Sequence, residues 1–199
     1  MGSVVSNSKT LGIVLAGGRS SRMGRDKALL AHPENGNFLE NARALLSELP
    51  LQQVVVSGAR DGGIPDLVAD MGPLGGLHSV ALRTGAAAAL VIPVDMPLLK
   101  CDALAELLAE GQRRQHPCYF DNFFFPLWLP FNDACLDYLQ RAVKGAVRNS
   151  VSALLSHLCA QSISTKHAGD WHRNINTPAD YLGLTTLDKI PENNLLREH

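Results

Sequence analysis

The sequence predicts an α/β fold, a three-layer sandwich in which helices cover both faces of a mostly parallel sheet. Three observations predict it. Over the first two-thirds of the chain, short apolar runs alternate with stretches of helical periodicity. The apolar runs are hydrophobic throughout rather than at every second residue, which is typical of strands buried on both faces. The first run opens directly into glycines, as a strand does where it enters a turn.

Strands and helices alternate regularly through the first half of the chain. The apolar runs predict strands at residues 11–15, 53–57, 67–69 and 88–94, of which the third is short and ends at Asp70. Apolar residues at helical spacing predict helices over residues 38–49 and 75–83. A third helix is expected to begin at Asp102 as its N-cap and to run to residue 113.

The second half begins with a predicted hairpin. The turn pair Asp121-Asn122 separates an apolar segment at 118–120 from another at 123–129. The three phenylalanines at 123–125 have two possible roles, either packing on the sheet, which is commoner for strand aromatics, or covering a cleft. Helices follow at 132–143 and 150–158, and Pro178 stands where the first turn of a last helix favours proline.

Length and composition bound the classes of function. The chain has 199 residues, of which 46% are hydrophobic, and we expect one domain over 1–199 with its core at about 10–185 and weakly ordered tails at 1–9 and 188–199. A net charge of −1 gives no basic surface for nucleic acid or a membrane. The four cysteines form no C-x-x-C pair and are expected to be buried apolar residues. Without a signal-like or membrane-spanning apolar run, a cytoplasmic protein is predicted.

The most specific motif follows the first predicted strand. Residues 15–27 read LAGGRSSRMGRDK, so that glycines are followed by the cations Arg22 and Lys27. Glycine allows close approach of backbone N–H groups to anionic oxygens, and the cations neutralise the remaining charge, which favours a polyphosphate site. Neither the G-x-G-x-x-G fingerprint nor the P-loop pattern is present. The alternative is a glycine turn with solvated arginines.

Further candidate residues follow the other predicted strands. Ligands of open parallel sheets bind at the carboxyl ends of the strands, and this is where the sequence has Gly17 with Gly18, Ser57, Asp70 and Asp95. Mg²⁺ needs only one or two protein carboxylates, so Asp95 is the candidate metal ligand, with capping of the next segment as its alternative. Asp70 is a candidate reader of guanine N–H donors or an ordinary turn aspartate.

Two asparagines near the end of the chain are the last candidates. Asn174 and Asn176 flank Ile175 in a strand-like segment, so both amides should lie on one face. They are expected either to orient an acceptor phosphate or the waters of a metal, or to bond neighbouring loop backbone.

Four segments together carry a family resemblance that runs from about residue 11 to residue 181. They are the loop at 15–27, Asp70 with GPLGG at 72–76, PVDMP at 93–97 and NINTP at 174–178. In order and spacing they resemble the molybdenum cofactor guanylyltransferases. These belong to the nucleotidyltransferases with a Rossmann-like, glycosyltransferase-A-like fold.

The resemblance implies a reaction and a set of roles. GTP and molybdopterin would be the substrates, Mg²⁺ the cofactor, and molybdoenzyme-maturation proteins possible partners. The backbone of Leu15, Ala16, Gly17 and Gly18 would meet the nucleotide. Arg22, Lys27 and Asp95 would be catalytic, Lys27 on the phosphates and Asp95 on the metal. The remaining substrate-binding residues would be Ser57, Asp70, Gly75, Asn174 and Asn176. A phosphate acceptor has a second pKa of about 6 and needs no general base.

The sequence departs from the family pattern at three places. It lacks the lysine of a Gly-Lys-Pro turn near Phe38, has Ser57 where asparagine is frequent, and has Phe125-Pro126 in place of a His-Pro pair on the acceptor side. The phosphate and metal segments therefore keep the family pattern, whereas positions on the acceptor side differ from it. The alternatives are a cytidylyltransferase for the same cofactor, another nucleotidyltransferase with a small phosphate acceptor, and a non-catalytic nucleotide- or cofactor-binding protein.

Overall fold

The structure is a computed structural model that describes residues 10–17, 26–60, 62–121 and 123–187. Two of the predicted site residues, Gly18 and Arg22, lie outside these ranges. Within them, no helix has both the length and the apolar character that crossing a membrane requires.

A six-stranded mixed sheet forms the middle of the fold. The strands are β1 (Thr10–Leu15), β2 (Val54–Ser57), β3 (Ala88–Pro93), β4 (Cys118–Phe120), β5 (Leu127–Pro130) and β6 (Gln161–Ile163). Their order is β2-β1-β3-β5-β4-β6, and only β5 runs antiparallel to its neighbours. β1 lies between β2 and β3, with Leu15 opposite Pro93. The strand order therefore reverses at β1, which is where open sheets of this kind bind ligands.

Helices cover both faces of the sheet, so the predicted three-layer α/β sandwich is confirmed. The helices are α1 (Phe38–Ser47), α2 (Gly72–Thr84), α3 (Cys101–Arg114), α4 (Asp133–Val143), α5 (Val151–His157) and α6 (Pro178–Leu187). On one face, α2, α4 and α5 pack with the side of β1 that carries Ile13. On the other, α1 and α3 pack with the side that carries Val14. The strands are buried on both faces, as their continuous apolar runs predicted.

The strand predicted at 67–69 is wrong. The chain bends and turns there, and the side chains of Leu67 and Val68 are exposed. Ile64, shortly before this segment, forms an isolated bridge to β2 at Ser57. The backbone N–H of Leu67 donates to the hydroxyl of Ser79 in α2 (2.8 Å), so this segment leads into a helix and adds no strand. Asp70 consequently ends no strand; it lies in the turn before α2 with a φ of 59°.

Two smaller expectations are also wrong. Asp102 is not the N-cap of α3, because the helix begins at Cys101 and Lys100 holds the capping position. Asp102 lies instead in the first turn, where a carboxylate favours the helix dipole. The cysteines are not all buried, since Cys159 is exposed and Cys101 only partly covered.

The predicted hairpin is confirmed, with β4 and β5 pairing antiparallel. The three phenylalanines at 123–125 belong to the connection between these strands and not to β5. Because β5 runs against β3, this connection lies at the sheet edge where β1 and β3 end.

Candidate active site

A cavity of about 530 Å³ opens at the edge of the sheet where β1 and β3 end. One part of its wall comes from the ends of these strands and from the short 3₁₀ turn Lys27–Leu29. Another part comes from the β4–β5 connection and the segment before α6. The lining residues used below are Gly17, Asp26, Lys27, Asp95, Phe123, Phe124, His172 and Asn174.

Lys27 and Asp95 meet at this cavity. Lys27 Nζ lies 3.1 Å from Asp95 Oδ2, and it donates a second hydrogen bond to Asn176 Oδ1 at 2.7 Å. Both charged side chains are largely covered, with exposed fractions of 17% and 24%. Residues predicted from three distant motifs therefore share one contact.

Local structure fixes each partner of this contact. Asp26 caps the turn that carries Lys27, because its carboxylate accepts a hydrogen bond from the backbone N–H of Ala28 (3.1 Å). The backbone carbonyl of Asp95 accepts from the N–H of Ile175 at 2.8 Å. This bond draws the asparagine segment to the end of β3.

The two asparagines alternate as the sequence predicted. Ile175 is fully buried, whereas Asn174 lines the cavity and Asn176 bonds Lys27. Both amides therefore lie on the side of the cleft. Their functional roles remain predictions.

The backbone at the end of β1 is already engaged within the protein. The N–H of Ala16 donates to the carbonyl of Ser57 (3.0 Å), and the carbonyl of Leu15 accepts from the N–H of Val94 (3.1 Å). The carbonyl of Ala16 accepts two hydrogen bonds from the guanidinium of Arg60. Leu15 and Ala16 line the cavity with their polar backbone groups engaged in this way, and Gly17, which follows them in the lining, is exposed.

Arg60 is a residue that the sequence reasoning missed. Its Nη2 lies 2.7 Å from Asp26 Oδ1 in an ion pair. The hydrogen bond from Arg60 is the main reason that the pKa of Asp26 is held below its usual value of 3.8. No pattern in the sequence singled out Arg60, because a single arginine in a glycine-rich connection resembles any solvated surface arginine.

Three predicted nucleotide contacts lie beside β2 and α2, outside the lining of the cavity. Ser57 is buried at the end of β2, and a β-carbon on Gly76 would collide with its hydroxyl. Gly75 is buried inside α2, where a β-carbon would come within 2.7 Å of the Met71 side chain. Asp70 is exposed in the turn before the helix.

Asp66 is a second residue that the sequence reasoning missed. Its Oδ1 is buried with no hydrogen-bond partner among the described residues, and burial raises the pKa of this carboxyl above 3.8. Its Oδ2 would lie 3.6 Å from a β-carbon on Gly75. With aspartates at both 66 and 70 before the glycines of α2, the sequence alone had no means of choosing the covered one.

The cavity wall on the β4–β5 side is aromatic. We define the aromatic wall as Phe123, Phe124 and His172. The rings of Phe123 and His172 stack with centroids 3.8 Å apart, and Trp171 meets both edge-on. Phe124 lines the cavity although its side chain is 51% exposed. Of the two roles considered for the phenylalanines, covering the cleft describes Phe124 best.

The oxygen donors at the Lys27 contact suit a hard cation. Among the described residues there is no group of three or more histidine, cysteine or acidic side chains that could enclose a metal. Mg²⁺ does not require one, because it prefers one or two carboxylates together with substrate oxygens. Asp95 Oδ2 and Asn176 Oδ1 already surround a positive charge, the ammonium of Lys27, so the donor set fits.

The amino-acid sequence matches a family model and several named proteins. A family model described as "MobA-like NTP transferase domain" matches residues 12–162. A protein of Xanthomonas euvesicatoria named molybdenum cofactor guanylyltransferase is 42% identical over 180 residues, covering 87% of this chain and 93% of the relative. A probable molybdenum cofactor guanylyltransferase of Rhodopirellula baltica is 35% identical over 195 residues, covering 85% and 89%.

Solved structures share the fold at low sequence identity. The molybdopterin-guanine dinucleotide biosynthesis protein A of Archaeoglobus fulgidus superposes with a TM-score of 0.69 at 20% identity, over 90% of this chain and 99% of its own. The 2-C-methyl-D-erythritol 4-phosphate cytidylyltransferase of Thermus thermophilus superposes with a TM-score of 0.64 at 14% identity, over 91% and 100%. At such identities the likeness establishes the fold alone.

Proposed function

This chain belongs to the MobA-like NTP transferases, and on that premise we propose that it transfers GMP from GTP to the phosphate of molybdenum-bearing molybdopterin. Pyrophosphate and a guanine dinucleotide form of the cofactor are the products. The observation that carries the proposal is the contact of Lys27 with Asp95 where β1 and β3 end. A phosphate-binding cation and a metal-binding carboxylate are both needed at a nucleotidyl-transfer centre. The product would pass to molybdoenzyme-maturation proteins in the cytoplasm.

The triphosphate of GTP would lie over Gly17 and the glycine loop, against Lys27. The ammonium acts as a compact point charge, and Arg22 of the same motif would add a bidentate partner. Gly18 would extend the loop backbone toward the phosphates. Leu15 and Ala16 would then support the nucleotide by van der Waals contact rather than by hydrogen bonds. The carbonyls of both residues and the N–H of Ala16 are already hydrogen-bonded within the protein.

Asp95, with Asn176 beside it, would hold Mg²⁺. Bound there, the ion would supply positive charge next to the triphosphate and so favour departure of pyrophosphate. Lys27 occupies the same oxygens through its ammonium, so it must move when a triphosphate and its metal arrive. Asn174, which lines the cavity, would orient the acceptor phosphate.

The reaction depends on the positioning of the two substrates more than on proton transfer by the protein. An oxygen of the acceptor phosphate attacks the α-phosphorus of GTP, the new P–O bond forms, and the bond to the β-phosphate oxygen breaks. The electron pair of that bond leaves on pyrophosphate. With a second pKa of about 6, the acceptor is largely dianionic at neutral pH and needs no base from the protein. The protein contributes alignment and charge neutralisation.

Base recognition is assigned to the β2 side of the cleft. Ser57, Gly75 and Asp70 are the residues the family pattern indicates, and Asp66 joins them because its buried Oδ1 has no hydrogen-bond partner within the described part of the chain. A carboxylate can accept from both N1–H and N2–H of guanine, whereas cytosine offers mainly one exocyclic amine. This favours GTP over CTP.

The acceptor would extend toward the aromatic wall. The flat ring system of a pterin can stack on Phe124, whose exposed face borders the cavity. The wall also contains Phe123 and His172. It lies on the side of the cavity where this sequence has Phe125-Pro126 in place of the family's His-Pro pair. An imidazole is thus present here, supplied by the segment before α6.

The test is incubation with GTP, Mg²⁺ and molybdenum-loaded molybdopterin, measuring pyrophosphate and the dinucleotide product. Asp95→Asn should reduce turnover by at least about 100-fold, as loss of a transition-state charge partner generally does. The matched control Asp137→Asn removes an exposed carboxylate far from the cavity and should leave turnover unchanged. Absence of the guanine product with wild-type protein would refute the proposal.

A thermal-shift panel separates the alternatives. Stabilisation should be greatest with GTP, because a ligand that binds only the folded state raises its stability by mass action. A larger shift with CTP would instead indicate the cytidylyltransferase. Binding of GTP without any release of pyrophosphate in the presence of acceptor would indicate a non-catalytic binding protein.

A further inference from the structure

Arg60 connects the two ends of the glycine loop. Its Nη2 and Nε donate to the carbonyl of Ala16 at 3.1 and 3.3 Å, and the same Nη2 lies 2.7 Å from Asp26 Oδ1. Ala16 directly precedes Gly17, at the start of the loop, and Asp26 directly precedes Lys27, at its end. One guanidinium therefore bridges the residues between which the phosphate-binding motif lies.

The partner at the far end of the loop also positions Lys27. Asp26 Oδ1 accepts both from Arg60 and from the N–H of Ala28, and the second bond caps the turn that begins at Lys27. A shift of Asp26 would therefore shift the lysine that meets Asp95. Arg60 therefore influences the position of Lys27 through one intermediate residue, Asp26.

Arg60 is itself held in a tight connection after β2. Its N–H donates to the carbonyl of Gly58, and its carbonyl accepts from the N–H of Gly63, both at 2.9 Å. Gly58 has a φ of 140°, and a β-carbon there would lie 3.2 Å from the N atom of Gly17. The connection therefore packs backbone to backbone against the start of the loop. This packing holds the guanidinium of Arg60 in position.

We propose that Arg60 is a positioning residue for the triphosphate. It holds Ala16 and Asp26 at the separation that lets Gly17 and Lys27 meet one polyphosphate, without touching the substrate itself. The fork of the guanidinium suits this task, because it reaches two acceptors in different directions, which a single ammonium does less well. The inference rests on the proposed nucleotidyl transfer, since it names what organises that site.

The test compares Arg60→Gln and Arg60→Lys with the wild-type protein. We expect Arg60→Gln to raise the KM for the nucleotide by about 10- to 100-fold, as loss of charge-assisted hydrogen bonds would. The KM for molybdopterin should stay within about twofold, and Arg60→Lys should restore part of the loss. Arg114→Gln is the matched control, because Arg114 pairs with Glu110 and Gln161 away from the cavity.

Asp26→Asn supplies a second variant that leaves Arg60 in place. If the two residues act as a unit, the double variant should lose no more nucleotide affinity than the worse single variant. This variant keeps the inference testable even if Arg60→Gln folds poorly.

Two results would overturn the inference. One is a lower melting temperature for Arg60→Gln with an unchanged nucleotide KM, which is the result expected of a purely structural arginine. The other is additive losses in the double variant. Failure of the proposed function is distinguishable, because the wild-type protein would then release no pyrophosphate. In that case, thermal shifts with whichever nucleotide the wild-type protein binds would still show whether Arg60→Gln weakens nucleotide binding.

Discussion

Lys27 Nζ lies 3.1 Å from Asp95 Oδ2, so the cation that we propose for the phosphates and the carboxylate that we propose for the metal form an ion pair with each other. The amide oxygen of Asn176 completes the arrangement at 2.7 Å from the same ammonium. In this state the lysine stands where a metal would meet the carboxylate. On the proposed function, a triphosphate would compete for the lysine and release Asp95, and nucleotide binding would then be coupled to metal binding.

Lys27→Met tests this coupling. Without nucleotide, the variant should bind Mn²⁺ more tightly than the wild-type protein, because the competing ammonium is gone. The gain should be up to about fivefold, since a partly exposed ion pair is worth no more than ~1 kcal/mol. Turnover should nevertheless fall by about 100-fold or more. Titration followed by Mn²⁺ electron paramagnetic resonance measures the first effect, with Lys144→Met as control; weaker Mn²⁺ binding would contradict the coupling.

Gly111→Ala tests the packing of α3 on β5. In an exposed helix, alanine would stabilise relative to glycine by up to about 1 kcal/mol. Here a β-carbon would collide with the indole ring of Trp128, which is 1% exposed, so overpacking should dominate and destabilise by about 1–3 kcal/mol. Chemical denaturation measures the difference. Gly183→Ala in α6 is the control and should not destabilise, because a β-carbon there would lie 3.8 Å from Arg173, the nearest atom among the described residues.

The sequence predicted the sheet core and the main contact of the site for physical reasons. Continuous apolar runs identify strands buried on both faces, and polar residues directly after such strands must lie at one edge. This is why Gly17 and Asp95 could be expected to come together, whereas Lys27 and Asn176 were assigned to the site through the family motifs.

The missed features depend on partners that no local pattern reveals. Leu67 and Val68 have strand-like composition, but their segment is committed to α2 through Ser79. Arg60 matters through a carbonyl 44 residues away, and Asp66 through its burial. Tertiary packing decides such cases, because the same residue types are common in solvated turns.

Asp26 should give the ion pair with Arg60 a pH dependence. The pKa of Asp26 is depressed in the folded protein, chiefly by the hydrogen bond from Arg60. Its contribution to stability is therefore present above the unfolded value of 3.8 and is lost as pH falls through the folded pKa. The melting temperature of Asp26→Asn should lie below that of the wild-type protein at pH 7, and the two should converge as pH falls below 3.8 and through the folded pKa of Asp26. A constant difference across this range would exclude titration of Asp26 as the cause.

Asp66→Asn should stabilise the free protein and weaken nucleotide binding. Burial raises the pKa of Asp66, so ionisation of this carboxyl destabilises the folded protein; the penalty begins as pH rises above the unfolded value of 3.8 and is complete above the folded pKa. The amide removes the uncompensated charge, and the melting temperature should rise. Affinity for GTP should fall by about tenfold or more, the cost of one charged hydrogen-bond partner. Calorimetry with GTP and ITP, which lacks the 2-amino group, measures the loss of selectivity.

Asp70→Asn is the companion variant for base recognition. Asp70 is exposed with a φ of 59°, a backbone conformation that asparagine also adopts, so the change should preserve the turn before α2. If Asp70 is the base-reading residue, as the family pattern indicates, its variant and not Asp66→Asn will lose preference for GTP over ITP. Comparing the two variants therefore identifies the carboxylate that reads the base, because a change in stability alone would not alter the preference for GTP over ITP.

Phe124→Ala should weaken binding of the acceptor while leaving the nucleotide unaffected. Phe124 is 51% exposed, and the ring contact recorded for it is with Tyr119 at a centroid distance of 6.3 Å, so the variant should still fold. Loss of one aromatic stacking partner is worth about 0.5–1.5 kcal/mol, which predicts an increase of about 2- to 12-fold in the KM for molybdopterin. Phe124→Tyr keeps the ring and is the matched control. An equal rise in the KM for GTP would place the nucleotide, and not the acceptor, against the aromatic wall.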